Sequence, residues 1–293
     1  MKYAWIQDHS KEFPVAVMCR VLQVSTSGYY DWVGREPSNR HQQREALKEA
    51  VRQSHEASKK VYGYRKVHRD VVEQTTLTCC EETVRSVMKE LNLRARSKRK
   101  YVVTTDSKHE LPVASNLLEC NFEPEGPNEK WVADITYIRT YEGWLYLAAV
   151  MDLFGRRIVG WQTSEHIDAD LVISALHDAI RKRHPGAGLL HHSDRGCQYA
   201  SVAFQEQLGL MNMTCSMSRK GNCWDNACME RFFKSLKGEW IGDMIFTTRE
   251  MATAAIFDYI EMFYNTKRRH AALDYLAPAE FEARAIAHGT IAA

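Results

Sequence analysis

No stretch of the chain approaches the ~20 consecutive apolar residues that a bilayer-spanning helix requires. The first residues, Met1-Lys-Tyr-Ala-Trp-Ile-Gln-Asp8, lack the apolar core of a secretory signal. A cytosolic protein is therefore expected. The eight cysteines contain no C-x-x-C pair and are scattered from Cys19 to Cys228, which excludes a written disulfide framework or zinc ribbon. His55 and His68 ahead of Cys79 and Cys80 are the nearest approach to a zinc set, but adjacent cysteines chelate poorly and the histidine spacing is loose. Net charge is also scarce, at +2 over 293 residues. That small sum hides an asymmetry. Residues 1–110 carry 21 Lys/Arg against 14 Asp/Glu, and residues 111–293 carry 18 against 23. A basic front suits a polyanion, and an acidic back suits cations.

What is present, at 45% hydrophobic and 26% charged residues, is the composition of an ordinary soluble globular chain, long enough for a core domain and smaller flanking modules. Phe13 to Leu22 has helical periodicity, and Ser25 is placed to cap a second short helix through Tyr29, Tyr30 and Trp32. Residues 1–36 thus read as a small helix-turn-helix-like segment, closed by a linker at Gly34 to Asn39. Residues 37–105 read as a second helical module, with helices at 41–57, from Tyr62 onward, and at Glu81 to Leu91. Three such helices suit a winged or plain helix-turn-helix whose last helix enters the major groove. The run Arg94-Ala-Arg-Ser-Lys-Arg-Lys100 follows at once, with five basic residues in seven. Arg96, Lys98, Arg99 and Lys100 are read as phosphate contacts, against the plainer alternative of a solvated linker.

Residues 106–124 are irregular and Pro/Gly-bearing, and a catalytic core is expected from 125 to 245. It opens with Trp131-Val-Ala-Asp-Ile-Thr-Tyr-Ile-Arg139, a buried-strand pattern that contains one carboxylate, Asp134. A lone ionised carboxylate is rarely buried unless it is paired or binds metal. Thr140 to Gly143 turn the chain into a second strand, Trp144 to Asp152, and Arg156 to Thr163 makes a third. Asp168 to His184 is an amphipathic helix, Gly188 to Asp194 a fourth strand ending in an acid, and Met213 to Met217 a fifth. A helix runs through Phe204 and Leu208, and a long one from Asp225 to Trp240. The order is mixed α/β, a sheet with helices on its faces. A helical tail occupies 246–293.

Asp134, Asp194 and Glu230 stand where they can converge if strands one and four are neighbours. Mutually repelling carboxylates call for a divalent cation, and two such ions suit phosphodiester chemistry. Each has a duller alternative: Asp194 as a strand end, Glu230 as a solvated helix residue. Asp152, beside Arg156 and Arg157, and Asp225, as a helix N-cap, are read as structural. Glu230, Lys234 and Lys237 fall at i, i+4 and i+7, on one helix face.

Three motifs together, Trp-Val-Ala-Asp134-Ile-Thr-Tyr, His192-Ser-Asp194-Arg-Gly-Cys-Gln-Tyr199 and Trp-Asp-Asn226-Ala-Cys-Met-Glu230-Arg-Phe-Phe-Lys-Ser-Leu-Lys237, resemble the DDE core of retroviral-integrase-like transposases. The likeness is to the OrfB product of two-frame bacterial insertion sequences, with 35 residues between Asp194 and Glu230. It extends to Val61-Tyr-Gly-Tyr-Arg65 in the helix-turn-helix module and Tyr264-Asn-Thr-Lys-Arg-Arg-His270 in the tail. The resemblance implies a ribonuclease-H-like fold, and Asp134, Asp194 and Glu230 as ligands of Mg²⁺ or Mn²⁺, two ions in all. It implies DNA cleavage by water, then attack by the freed 3′-hydroxyl without a covalent protein intermediate. Lys234, Lys237, Arg65 and Lys66 are the implied DNA contacts, and Ser218 to Cys223 a loop near the scissile strand. A homo-multimer on two DNA ends, a bacterial nucleoid location, and an upstream-frame OrfA partner or fusion are expected; no sustained heptad pattern stands near the front to supply the partner's zipper. Cys197 occupies a position where serine is more usual. The rivals are a catalytically silent DNA-binding regulator and a nuclease that cuts without joining.

Overall fold

The computed structural model describes residues 1–96, 111–219 and 223–287. Three short helices, α1 (Lys2–Asp8), α2 (Val15–Val21) and α3 (Thr26–Val33), close on Ile6, Met18, Cys19 and Tyr29. The Ser25 hydroxyl caps α3 by accepting from the Gly28 amide at 3.3 Å. The second module comprises α4 (Asn39–Ala57), α5 (Tyr64–Gln74) and α6 (Glu81–Glu90), packed through Leu47, Val51, Val67, Val71, Val84 and Val87. Among the described residues 1–96 the module is wholly helical.

A five-stranded sheet follows, in the order β3-β2-β1-β4-β5. β1 (Lys130–Thr140), β2 (Gly143–Asp152) and β3 (Arg157–Ser164) form an antiparallel meander, and Gly143 takes φ +111° at its first turn, a conformation glycine adopts without cost. α7 (Ala169–Arg183), capped by Asp168, carries the chain back over the sheet. β4 (Leu190–Ser193) and β5 (Thr214–Met217) then add in parallel on the far side of β1. Alternation along β1 feeds two cores. Trp131 and Ala133 meet Leu171, Leu176 and Phe204 on one face, while Val132 and Ile138 meet Met229, Phe232 and Ile256 on the other. The first face is closed by α7 and by α8 (Cys197–Ala200) and α9 (Val202–Leu210). The helix expected through Phe204 is thus two, broken at extended Ser201, whose hydroxyl caps α9.

α10 (Ala227–Ser235) lies on the second face, and the single long helix expected to Trp240 instead widens into π-helical turns over Leu236–Ile241. A second π-helical segment, Asp258–Tyr264, extends α11 (Arg249–Phe257), and Trp240 stacks on Phe263 at 5.3 Å between centroids. α12 (Pro278–Ala287) ends the described chain. This tail is not peripheral: Asn265 bonds both the amide and the carbonyl of Ile158, at 3.0 and 2.9 Å. No described helix is long and apolar enough to cross a membrane.

Two structural acids have partners other than those expected. Asp152 is fully buried and receives Arg183 at 3.0 Å together with the amides of Asn128 and Phe154. Arg156 turns instead to the Cys228 sulfur and the Phe122 carbonyl, and Arg157 to Glu282 at 2.8 Å. Asp225 does not cap α10, whose N-cap is Asn226. It accepts from the amide and guanidinium of Arg219 at 2.7 to 3.1 Å.

α7 approaches β3 so closely that a Cβ at Gly160 would sit 2.4 Å from the Ala175 carbonyl oxygen and 2.5 Å from the Ala179 nitrogen. Both are backbone atoms and neither can rotate away. Gly160→Ala is expected to cost about 1–3 kcal/mol, read as a lowered urea midpoint with an unchanged m-value.

Candidate functional site

The geometry of the acids follows from strand register. β1 and β4 pair Trp131 with His191 and Val132 with His192, so two residues further on Asp134 and Asp194 come side by side, just past the last paired residue. Asp134 is still paired with Ala149 of β2, while Asp194 follows directly on the end of β4. Asp134 Oδ1 accepts its neighbour's amide, from Ile135 at 2.8 Å, and Asp194 Oδ1 accepts from Gly196 at 2.9 Å, fixing both carboxyl groups. Glu230 comes from α10, which packs across β1. The Asn226 side chain seats that helix by donating to the Ala133 carbonyl at 3.0 Å, one residue before Asp134.

The electrostatics are those of acids held together. Burial first, then the charges of Asp194 and Glu230, push the Asp134 carboxyl well above its ordinary range, against the opposing field of Lys237. Burial raises Glu230, and Lys234 pulls it back. Lys237 is lowered by burial and supported by Asp134, with its ammonium 4.5 Å from the centre of the Tyr137 ring. Lys234 thus acts on Glu230 and Lys237 on Asp134. Among the described residues, no three Asp, Glu, His or Cys side chains form a closed metal-binding cluster. Asp134 and Asp194 are paired by the sheet, and Glu230 acts on Asp134 from the helix. This donor set fits a hard divalent cation: oxygen ligands only, partly buried, mutually destabilising without positive charge between them.

Groups behind the acids complete the site. Both ring nitrogens of buried His192 are bonded, Nδ1 to the Ser216 hydroxyl at 2.8 Å and Nε2 to the Ser218 hydroxyl at 3.1 Å. This joins β4 to β5 and to the start of the loop that follows. Burial lowers His192 to about 4 and its neighbour His191 to about 3, so both rings are neutral. The Tyr199 hydroxyl is buried close enough to Asp134 and Asp194 that both raise it further, after burial itself. Asn226, His192 and Tyr199 were not singled out by residue chemistry, although each lies inside a motif quoted above. Their signal was proximity in sequence to the acids.

The remaining cations lie elsewhere. Arg65 is exposed on α5, 3.7 Å from Glu81 and over the Tyr64 ring, and the Lys66 ammonium lies 5.1 Å from the centre of the Tyr62 ring. Arg96 donates from its side chain to the Glu239 carbonyl at 3.2 Å and from its amide to Lys60. Lys98, Arg99 and Lys100 fall outside the described residues. His68, considered above beside Cys79 for zinc, bonds the Cys79 backbone carbonyl at 2.8 Å instead.

Two family models described as "Integrase core domain" match residues 124–223 and 211–278, and one described as "HTH-like domain" matches residues 42–101. Sheet order, flanking helices and these matches define an integrase-core enzyme of ribonuclease-H-like fold, preceded by a helix-turn-helix-like module. Transposase InsF for insertion sequence IS3A of Escherichia coli (strain K12) is 42% identical over 289 residues, spanning 98% of this chain and 100% of the relative. The insertion element IS600 uncharacterized 31 kDa protein of Shigella sonnei is 46% identical over 267 residues, 90% of this chain and 97% of the relative. The chain belongs to the IS3 family of insertion-sequence transposases. Among solved structures, the HTLV-2 integrase catalytic core domain in complex with magnesium is 18% identical with a TM-score of 0.42, covering 54% of this chain and 97% of that one. The simian T-cell lymphotropic virus intasome in complex with PP2A regulatory subunit B56 gamma is 16% identical with a TM-score of 0.44, covering 70% of each chain.

The neutral histidines carry a pH dependence. Unfolded, each titrates near 6.5. The unfolded chain therefore binds their protons first, and stability falls as pH drops from about 6.5 towards 4. Asp134 and Glu230, with raised carboxyls, pull the other way. The histidine share is read as a difference between wild type and His191→Phe, whose aromatic ring suits the site beside Phe204. In urea titrations from pH 7 to 5, the variant's slope of stability against pH should be shallower by up to about 1.4 kcal/mol per pH unit. Equal slopes would contradict the assignment.

Proposed function

We propose that this transposase cleaves DNA at the ends of its insertion sequence and joins the freed 3′ ends to another phosphodiester, using Asp134, Asp194 and Glu230 as the ligands of Mg²⁺ or Mn²⁺, two ions in all. The observation that carries the reading is the placement of Asp134 beside Asp194 by the β1/β4 register, with Glu230 adding its charge from α10. The donor chemistry supports a hard cation, and the HTLV-2 integrase core named above was solved with magnesium. When bound, such ions activate the attacking oxygen and stabilise the leaving one.

The chain's own residues do the rest. β1 and the end of β4 hold two carboxylates in fixed orientation, each oriented by a backbone amide. Asn226 keeps α10, and so Glu230, against β1. Lys234 and Lys237 neutralise phosphate charge beside the acids, and the neutral histidines hold β4 and β5 together without adding positive charge behind them. No side chain is required to form a covalent bond to DNA: water attacks in cleavage, and the 3′-hydroxyl in joining. The helical module, with Arg65, Lys66, Arg96, Lys98, Arg99 and Lys100, grips the element's end. Two ends handled together imply a homo-multimer, working with an upstream-frame OrfA product or fusion, in the cytoplasm at the nucleoid.

The test is incubation of the purified chain with labelled DNA carrying the element's ends, with Mg²⁺ or with chelator, resolved on a denaturing gel. Metal-dependent joined product is expected. Asp134→Asn, Asp194→Asn and Glu230→Gln should each lower cleavage and joining by more than the roughly 10–100-fold typical of losing an outer-shell partner, while DNA affinity stays near wild type. Cleavage without joining would favour a nuclease, and binding with neither product a silent regulator. Full activity in any one variant would remove that residue from the assignment.

A further inference from the structure

Lys267-Arg-Arg-His270 reads in isolation as a cationic run of the kind that meets phosphate. Its two arginines are otherwise engaged. Arg269 donates through Nε to Asp70 at 2.6 Å, and through Nη1 and Nη2 to Glu73 at 3.2 and 2.6 Å. Nη1 also reaches the Tyr275 carbonyl at 3.1 Å. All three guanidinium nitrogens are therefore used inside the protein, on a side chain only 11% exposed. Asp70 and Glu73 belong to α5 of the helix-turn-helix-like module, about two hundred residues away in sequence. The Tyr62 hydroxyl, just before α5, donates to the Lys267 carbonyl at 2.8 Å and accepts from the Arg269 amide at 2.9 Å. Ser54 on α4 satisfies the second oxygen of Asp70 at 2.7 Å.

Arg268 points the other way. It makes a bidentate pair with Glu239, 2.7 Å on each side, and reaches the Ser235 hydroxyl at 3.2 Å. Ser235 ends α10 and Glu239 lies in the π-helical turns that continue it. Two consecutive arginines thus link α5 of the DNA-binding module to the helix that carries Glu230.

We propose that Arg269 is a positioning residue that fixes the helix-turn-helix-like module at one angle to α10, so that DNA gripped by the module reaches the acids at a set distance from the element's end. The inference rests on the strand-transfer reading above. It assigns a tail arginine to interdomain alignment, and withdraws it from DNA contact. The partners are specific to this role, since four of the five guanidinium N–H donors are taken inside the protein, and a surface ion pair would not bury Asp70 with a second satisfied oxygen.

The test uses the full chain with Tyr62→Phe, Arg269→Gln, and the double variant Asp70→Asn/Arg269→Gln, which leaves no unpaired buried charge. DNA affinity should stay within about twofold, and the slope of log affinity against log salt unchanged, because a lost phosphate contact would remove roughly 0.9 from it. Joining should fall by about 10- to 100-fold in kcat, as misplacement far from the chemistry does. Cut sites should spread over neighbouring nucleotides, and the radius of gyration by small-angle scattering should grow. A salt slope reduced by about one would make Arg269 a DNA contact and overturn the proposal, as would unchanged joining at an unchanged cut site. If an arginine variant fails to fold, Tyr62→Phe, which removes one hydroxyl, is read by the same outcomes. A wild-type chain that binds DNA but makes no joined product would count against strand transfer itself. The alignment is then judged by scattering alone, where an unexpanded variant overturns it.

Discussion

Two carboxylates beside one another at the ends of paired strands repel, and a fold that holds them there must supply rigidity from elsewhere. The parallel pairing of β1 with β4 is that constraint in this protein. It brings Asp134 and Asp194 side by side just past the end of the β1/β4 ladder, where backbone amides fix their carboxyl groups. Much of the surrounding architecture serves the pairing. α7 must carry the chain from the β3 edge to the opposite side of β1, and it does so pressed onto Gly160, where any side chain would hold it off. Burial of Trp131 and Val132 on opposite faces keeps β1 central and immobile. His192, held by two serines, locks β5 onto β4.

The charge asymmetry along the sequence acquires a spatial meaning. Carboxylates of the acidic back half fall into two groups. Asp152, Asp178, Asp225, Glu239 and Glu282 each take an arginine or lysine partner and are structural. Burial raises the carboxyls of Asp134 and Glu230, as it also raises that of Asp152. Asp134 is set apart by the charges of two further acids, Asp194 and Glu230, which raise it again.

Local features of this arrangement were legible in the sequence. The β1–β2 hairpin, the Ser25 cap and the five strands follow from side-chain period and turn chemistry, which depend on neighbours only. A carboxylate inside a strand pattern marked Asp134 for the same reason. What escaped depends on partners distant in the chain. Asp152 looked paired to Arg156 or Arg157 by proximity, whereas Arg183, brought over by α7, is the one that reaches it. Arg96 lies in a basic run, and its further hydrogen bond to a carbonyl 143 residues later leaves no mark in that run. Asp225 had the residue type of an N-cap, but the preceding loop claims both its oxygens. The widening of α10 leaves no mark on hydrophobic period, because Phe232, Phe233 and Leu236 satisfy an α-helical pattern up to the point where it changes.

The paired π-helical segments at Leu236–Ile241 and Asp258–Tyr264 have a consequence for how this sequence can vary. A π turn holds one residue more than the α turn it replaces, and both segments are packed against each other through Trp240, Tyr259 and Phe263. Removing a single residue from either would let that turn close to α geometry while the turns on each side kept nearly their present register. The change would fall on the side chains inside the turn, Glu239 and Trp240 in the first segment, and so on the pairing with Arg268 and the stacking on Phe263. Each π segment is therefore a local insertion that sets the direction of a few side chains without altering the path of the helix around it.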